Sequence, residues 1–212
     1  MIFELFRRVV GSIVILFNPL STDALVSLLG ASPFGVEHAT TEVKEILSHL
    51  HSVLDVPMSS ANHIRLLHPS FRDFILSEER FGESKLQVDE KHAHRKLADD
   101  RIGVMSSSLG QGICGLKLPG SLLSDVTRSH VEQCIHEELQ YACLYWIQNL
   151  QKSDILLHDE DKAHQFLRLH LLHWLEALAW LERASEAILA LIVLEGQIQV
   201  SVVPGRIYDF SY

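Results

Sequence analysis

Cysteine is scarce in this chain of 212 residues, which contains only Cys114, Cys134 and Cys143. The number is odd and no two of them stand in a C-x-x-C pattern, so the sequence argues against a disulfide framework. Reduced thiols of this kind are typical of a cytoplasmic protein, which is the location we predict. Cys143 lies among apolar residues, and we expect it to be a core side chain.

Positive charge is also scarce, since the chain has 18 lysine and arginine residues but 27 aspartate and glutamate residues. The net charge is therefore -9 with histidine neutral, and the longest basic cluster is Arg7-Arg8. An acidic chain is repelled by phosphate backbones unless a local basic patch reverses the sign. The composition consequently predicts no binding to DNA.

The first apolar run of the sequence is too short to cross a bilayer. The apolar residues 9–17 follow the basic pair Arg7-Arg8, as the apolar region of a signal peptide follows its basic region. They fall short of the length of a membrane span, and Glu4 occupies what would be the basic region. No small-x-small cleavage pattern comes before Asp23. We expect a buried first helix and no membrane partner.

Catalytic motifs are incomplete in this sequence. Gly110 to Gly115 match G-x-G-x-x-G, but a predicted helix precedes them and Pro119 interrupts the stretch after them. The same glycines miss a P-loop, because Lys117 comes one residue late and Leu118 stands where magnesium needs a hydroxyl. No G-x-S-x-G elbow is present either. We therefore predict a loop here, and we predict that the chain is not an enzyme.

The thirteen histidines suggest a metal site, but their spacing does not support one. The tightest set is His170, His173 and Glu176, whose steps of three residues drift around a helix. No second ligand pair with zinc-finger spacing lies near the cysteines. We expect no metal, and we expect His92 and His94 to be exposed to solvent.

Apolar periodicity predicts a mainly α chain. Asn18-Pro19 should end the first helix, Ser21 should cap the second, and Pro69 should begin the fourth. Two short apolar stretches around a polar turn, 53–54 and 64–67, predict a β-hairpin. The predicted helices cover residues 2–17, 22–29, 36–50, 69 onward, 88–105, 136–151, 159–181 and 186–195.

Three helices, a hairpin and a further helix form the plan of a winged helix-turn-helix. A polar linker at 80–85 comes next. We therefore predict a winged helix-turn-helix followed by an α-helical domain. The predicted domains are 1–82, winged-helix-like; 83–183, helical; and 184–212, a terminal helix and irregular tail. The predicted winged-helix core consists of Val43, Ile46, Leu47, Phe71 and Phe74.

A winged helix of this composition is poorly suited to DNA. Its groove-reading helix, 36–50, carries Glu37, Glu42 and Glu45 against the single cation Lys44. Such a helix would approach phosphates with net negative charge. A protein-facing or internal role is better supported.

Several stretches of the sequence are shared with a known family. They are GSIVILFNPLS at 11–21, LHSVLDVP at 50–57, IRLLHPSFRDF at 64–74, VEQC at 131–134, YACLYW at 141–146 and HLLHWLEAL at 170–178. Together they resemble the region that follows the NTPase core in fungal NACHT proteins of the STAND class, and the similarity covers about Arg8 to Glu195. The resemblance implies a winged helix and helical domain of an ATP/ADP switch, from a family that includes proteins of vegetative incompatibility and programmed cell death.

The resemblance also implies a role for His68. In the family, a histidine at the end of the winged-helix hairpin reaches the phosphates of bound ADP, and His68 matches that position. An imidazole N–H at a helix start can donate to an anion, and the helix dipole adds to this. ATP or ADP would bind only through a core that this sequence lacks, so we expect no cofactor in this chain alone. The alternative is that His68 simply caps the helix beginning at Pro69.

The expected function is a non-catalytic regulatory module in signal transduction. Its partner would be a NACHT NTPase core or another protein. Two alternatives stay open: a free-standing protein-protein interaction protein, or a truncated, non-functional fragment. The ending from Gln197 onward resembles nothing in the family, which fits the fragment.

Overall fold

The structure, a computed structural model, describes residues 2–29, 36–77, 86–115, 126–154, 156–159 and 161–197. Within these ranges the chain is mainly helical, which confirms the predicted class. None of the described helices combines the length and apolarity that crossing a membrane requires. The helices are α1 (Ile2–Ile15), α2 (Thr22–Leu29), α3 (Val36–Ser48), α4 (Pro69–Leu76), α5 (Glu90–Ser108), α6 (Arg128–Cys134), α7 (Glu137–Ser153), α8 (Lys162–Trp180) and α9 (Ala184–Glu195).

Local capping signals set several of these boundaries as predicted. The Ser21 hydroxyl accepts the backbone N–H of Ala24 at 3.1 Å and so begins α2. Pro69 occupies the first turn of α4, where its missing N–H costs nothing. Asp154, in a left-handed conformation with φ 57°, ends α7. The sequence analysis missed α6, which is only two turns long.

The predicted hairpin is present as two short strands, β1 (Leu54–Asp55) and β2 (Arg65–Leu66). They pair antiparallel, with Leu54 opposite Leu66. A further bridge joins Ser21 to His63, and the N–H of Ile64 donates to the carbonyl of Leu20 at 2.8 Å. The segment between α1 and α2 therefore lies alongside the strand that leads into α4.

The core centres on α5 and α7, which pack along their length, with α1 and α2 against α5 and with α8 and α9 beside them. Trp146 of α7 is fully buried and meets Phe166 and Trp174 edge to face, with ring centroids 5.4 and 5.8 Å apart. The indole N–H of Trp174 donates to the carbonyl of Cys143 at 2.9 Å. Cys143 is buried here, as predicted.

The predicted winged-helix core is correct for α3 and partly wrong for α4. Val43, Ile46 and Leu47 are buried, whereas Phe71 is only half-buried and Phe74 is 42% exposed. The reason is geometric, because α4 turns inward the face that carries Ile75 and Phe71, four residues apart. Phe74 lies about 100° around the helix from Ile75.

The predicted domain boundary at 82/83 and the linker at 80–85 lie outside the described residues. So does the tail beyond Gln197. Gln197 itself is described, and its carbonyl accepts the N–H of Leu157 at 2.9 Å. The division into domains therefore stays a prediction.

We predict that Trp146→Ala lowers the free energy of unfolding by about 3–5 kcal/mol, because it empties a fully buried site. Phe74→Ala is the matched control. Because the Phe74 ring is half-exposed, this substitution should lower the free energy of unfolding by less than about 1 kcal/mol. Urea denaturation of both variants measures the difference. Equal losses would contradict the packing described here.

Candidate functional site

His68 lies between β2 and α4 and is the N-cap of that helix. Its Nδ1 accepts the backbone N–H of Ser70 at 3.1 Å and lies 2.8 Å from the Ser70 hydroxyl. Because Nδ1 is the acceptor, the neutral ring carries its hydrogen on Nε2. The side chain is exposed, so this N–H is presented to solvent at a helix N-terminus. The N-cap acceptor and the remaining N–H donor are thus two different nitrogens of one ring.

A single carboxylate on α7 holds the segment that leads to His68. The Ser21 hydroxyl donates to one oxygen of Glu137 at 2.5 Å, and Nε2 of His63 lies 2.8 Å from the other. Ser21 and His63 are also the two residues of the isolated bridge. Glu137 therefore fixes both sides of that bridge to the start of α7.

Two tyrosines continue this contact one and two turns further along α7. The Tyr141 hydroxyl accepts the backbone N–H of Phe17 at 2.8 Å, and the side-chain amide of Asn18 donates to the Tyr145 hydroxyl. The Phe17 ring stacks on the Tyr145 ring, with centroids 5.4 Å apart. The turn between α1 and α2 therefore rests on the side of α7. We call Glu137, Tyr141 and Tyr145 the junction.

A buried polar cluster lies behind the junction, between α5 and α7. Arg101 is fully buried, donates to the carbonyl of Tyr145 at 3.0 Å, and lies 4.5 Å above the Tyr141 ring. Burial lowers the pKa of the Arg101 guanidinium to about 10, so Arg101 stays charged at neutral pH. The Asn149 amide donates to the same carbonyl at 2.6 Å. The Arg101 bond joins α5 to α7, whereas the Asn149 bond lies within α7.

His94 completes this cluster and is buried, so the predicted exposure of His94 is wrong, whereas His92 is exposed as predicted. Its Nδ1 lies 2.8 Å from the side-chain oxygen of Asn149, which only accepts, so Nδ1 carries the hydrogen. Nε2 has no hydrogen-bond partner among the described residues. Burial is the main cause that lowers the pKa of His94.

The junction and the buried cluster were not predicted from the sequence, which led us to expect an exposed His94. One signal was available. Glu137, Tyr141, Tyr145 and Asn149 recur every fourth residue along α7, which is the spacing of one helix face.

The glycine-rich stretch forms a tight turn as far as the structure describes it. Gly112 and Gly115 have φ values of 66° and 73°, and the N–H of Gly115 donates to the carbonyl of Gly112 at 2.7 Å. The N–H of Gly112 also donates to Glu176 of α8, at 3.3 Å. Lys117, Leu118 and Pro119 lie outside the described residues.

Two histidines of α8 contact each other, with the Nδ1 atoms of His170 and His173 3.5 Å apart. His170 also stacks on Phe166, with ring centroids 5.6 Å apart. Across the part of the chain that the structure describes, no three histidine, cysteine or acidic side chains form a group that could hold a metal ion.

Large apolar side chains on the two last helices face solvent. On α8 these are Leu169 and Leu172, which are 72% and 76% exposed, and on α9 they are Ile188, Leu189 and Ile192. Side chains of this size are usually buried, so their exposure on these two helices is a feature of the described surface.

Comparisons with protein-family models, with curated proteins and with solved structures gave no match.

We predict that the protein loses stability as the pH falls below about 6.5, because His94 is buried in its neutral form. Between the ordinary pKa of 6.5 and the lower folded pKa, the unfolded chain binds a proton that the folded chain does not. Protonation therefore favours unfolding, by about 1.4 kcal/mol per pH unit inside that window.

His94→Gln isolates this effect, because glutamine keeps an amide donor for Asn149 but does not titrate. Urea denaturation from about pH 7.5 to about pH 5 should show the wild type losing more free energy of unfolding than the variant. Parallel pH profiles for the two proteins would contradict the buried neutral histidine.

Proposed function

We propose that this chain is a non-catalytic regulatory module of the NACHT type, acting in the cytoplasm. Its first part would be a winged helix that packs on an NTPase core, and its helical part would pass the nucleotide state of that core onward. The order of α1 to α4 around β1 and β2 supports the winged helix. So does the bridge from Ser21, which adds the segment between α1 and α2 to the hairpin.

The observation that carries the proposal is the geometry of His68. Its Nδ1 is engaged in capping α4, which leaves Nε2–H as an exposed donor beside the positive end of the helix dipole. A donor in this position suits a phosphate of ADP bound to a neighbouring core. The role is recognition of the nucleotide, with no chemical step on it.

The junction supplies a route from His68 to the helical part. His63 and His68 lie on one short segment that contains β2, and Glu137 holds His63 at 2.8 Å. A displacement of His68 toward or away from a phosphate would therefore pull on the first turn of α7. Because α7 packs along α5 and contacts α8 and α9, the displacement would reach the whole helical part.

A second candidate is a free-standing interaction protein. The exposed leucines and isoleucines of α8 and α9 favour it, since they offer an apolar surface to a partner protein. This surface lies on other helices than His68, so the two functions can be separated by experiment.

The test mixes the purified chain with a related NACHT core, with and without ADP, and follows complex formation by size-exclusion chromatography with light scattering. Two variants distinguish the roles of the two ring nitrogens of His68. His68→Ala removes both cap and donor, whereas His68→Ser restores a good N-cap and removes only the imidazole. If His68 senses phosphate, ADP should tighten binding of the wild type at least tenfold, which is about 1.4 kcal/mol, and of neither variant.

Other outcomes reject the proposal. If His68→Ser keeps the full ADP dependence, His68 is only a helix cap. A chain that ignores the core in every nucleotide state, yet self-associates, would instead support the free-standing interaction protein.

A further inference from the structure

Two of the three cysteines meet where the turn after α5 contacts α6. The backbone carbonyl of Cys114 and the sulfur of Cys134 contact the same ring nitrogen of His130, and the Cys134 side chain is close enough to the Cys114 thiol to raise its pKa. Cys114 is buried, while Cys134, at the end of α6, is only half-buried. Their positions in the sequence gave no sign of this pairing, because the two residues belong to different elements.

A histidine on α6 joins the same cluster. Nε2 of His130 lies 3.0 Å from the carbonyl oxygen of Cys114 and 3.6 Å from the sulfur of Cys134. A carbonyl oxygen only accepts, so Nε2 carries a hydrogen. This hydrogen donates to the Cys114 carbonyl, so His130 joins the turn to α6 and places the Cys114 backbone next to the Cys134 sulfur.

The turn that carries Cys114 is held in place. Gly112 and Gly115 adopt left-handed conformations that glycine accepts without strain, and they direct the residues between them toward α6 and α8. Burial, followed by the neighbouring Cys134, raises the pKa of the Cys114 thiol to about 11. Cys114 thus stays a protonated thiol at neutral pH, while Cys134 is the cysteine that solvent reaches.

We propose that Cys114 and Cys134 form a redox-sensitive pair that a peroxide converts into an intramolecular disulfide. The Cys134 thiolate and a proton react with hydrogen peroxide to give a sulfenic acid and water. The Cys114 sulfur then attacks the Cys134 sulfur, which releases a second water and leaves the disulfide. The peroxide is reduced, and the two thiols are oxidised. Two equivalents of glutathione, or one of a dithiol, reverse the step.

The bond would tie the turn after α5 to α6 by closing a loop of about 20 residues. Such a crosslink restricts the unfolded chain, so it should stabilise the protein. This inference stands apart from the proposed function, because it involves neither His68 nor a nucleotide core. Cys143 is a built-in reference, since it is buried in α7 and burial raises its pKa to about 12.

The test treats the full chain with a small excess of hydrogen peroxide, blocks the remaining thiols in denaturant, and measures intact mass and peptides. We expect oxidation to remove two hydrogens from the protein. The blocking reagent should then label one thiol, at Cys143, and digestion should give a peptide pair joined through Cys114 and Cys134. The thermal midpoint should rise by roughly 5–10 °C and return on reduction.

Variants provide the controls. Cys143→Ala should form the bridge as the wild type does, whereas Cys134→Ser and Cys114→Ser should not. The wild-type peptide map decides the question even if a variant fails to fold. Three blocked thiols after oxidation, a bridge to Cys143, or further oxidation of Cys134 with Cys114 still free would each overturn the proposal.

Discussion

The bond from Arg101 to the carbonyl oxygen of Tyr145 joins α5 to α7 inside the core, and that carbonyl accepts a second bond from the buried side chain of Asn149. Arg101 reaches it from α5, and Asn149 reaches it from the next turn of α7. A fully buried guanidinium is costly unless it is partnered, and among the described residues only Nη1 of Arg101 has a hydrogen-bond partner, which is the Tyr145 carbonyl. The Tyr141 ring beneath the Arg101 cation provides a further favourable contact. Arg101 thus joins α5 to α7 through both contacts.

Helix α7 contributes to the rest of the structure through two faces. Its apolar face places Leu139, Trp146 and Leu150 in the core, where Trp146 packs on Phe166 and Trp174 of α8. Its polar face carries the junction, which holds the turn after α1 and the bridge that leads to His68. Because both faces belong to one helix, the contacts of the junction and the packing of the core are made by the same element.

The sequence predicted what is encoded locally. The apolar spacing along α7, the Ser21 cap and the hairpin all depend on residues a few positions apart, and the structure contains them. The junction could not be predicted in this way, since Glu137 and Ser21 are 116 residues apart. The sequence around a tyrosine that accepts a distant backbone N–H shows the same spacing of apolar and polar residues as the sequence around a solvent-exposed tyrosine. The place of His68 came from resemblance, and its capping geometry came from the structure.

The most direct test of this account is whether α1 to α4 unfold together with the helical part. All three tryptophans lie in α7 and α8, so their fluorescence reports the helical part alone, whereas far-ultraviolet circular dichroism reports every helix. If the junction joins the two parts, both signals should give the same urea midpoint in one transition. Helicity lost at lower urea, with tryptophan fluorescence unchanged, would show that the first part unfolds independently and would contradict the account.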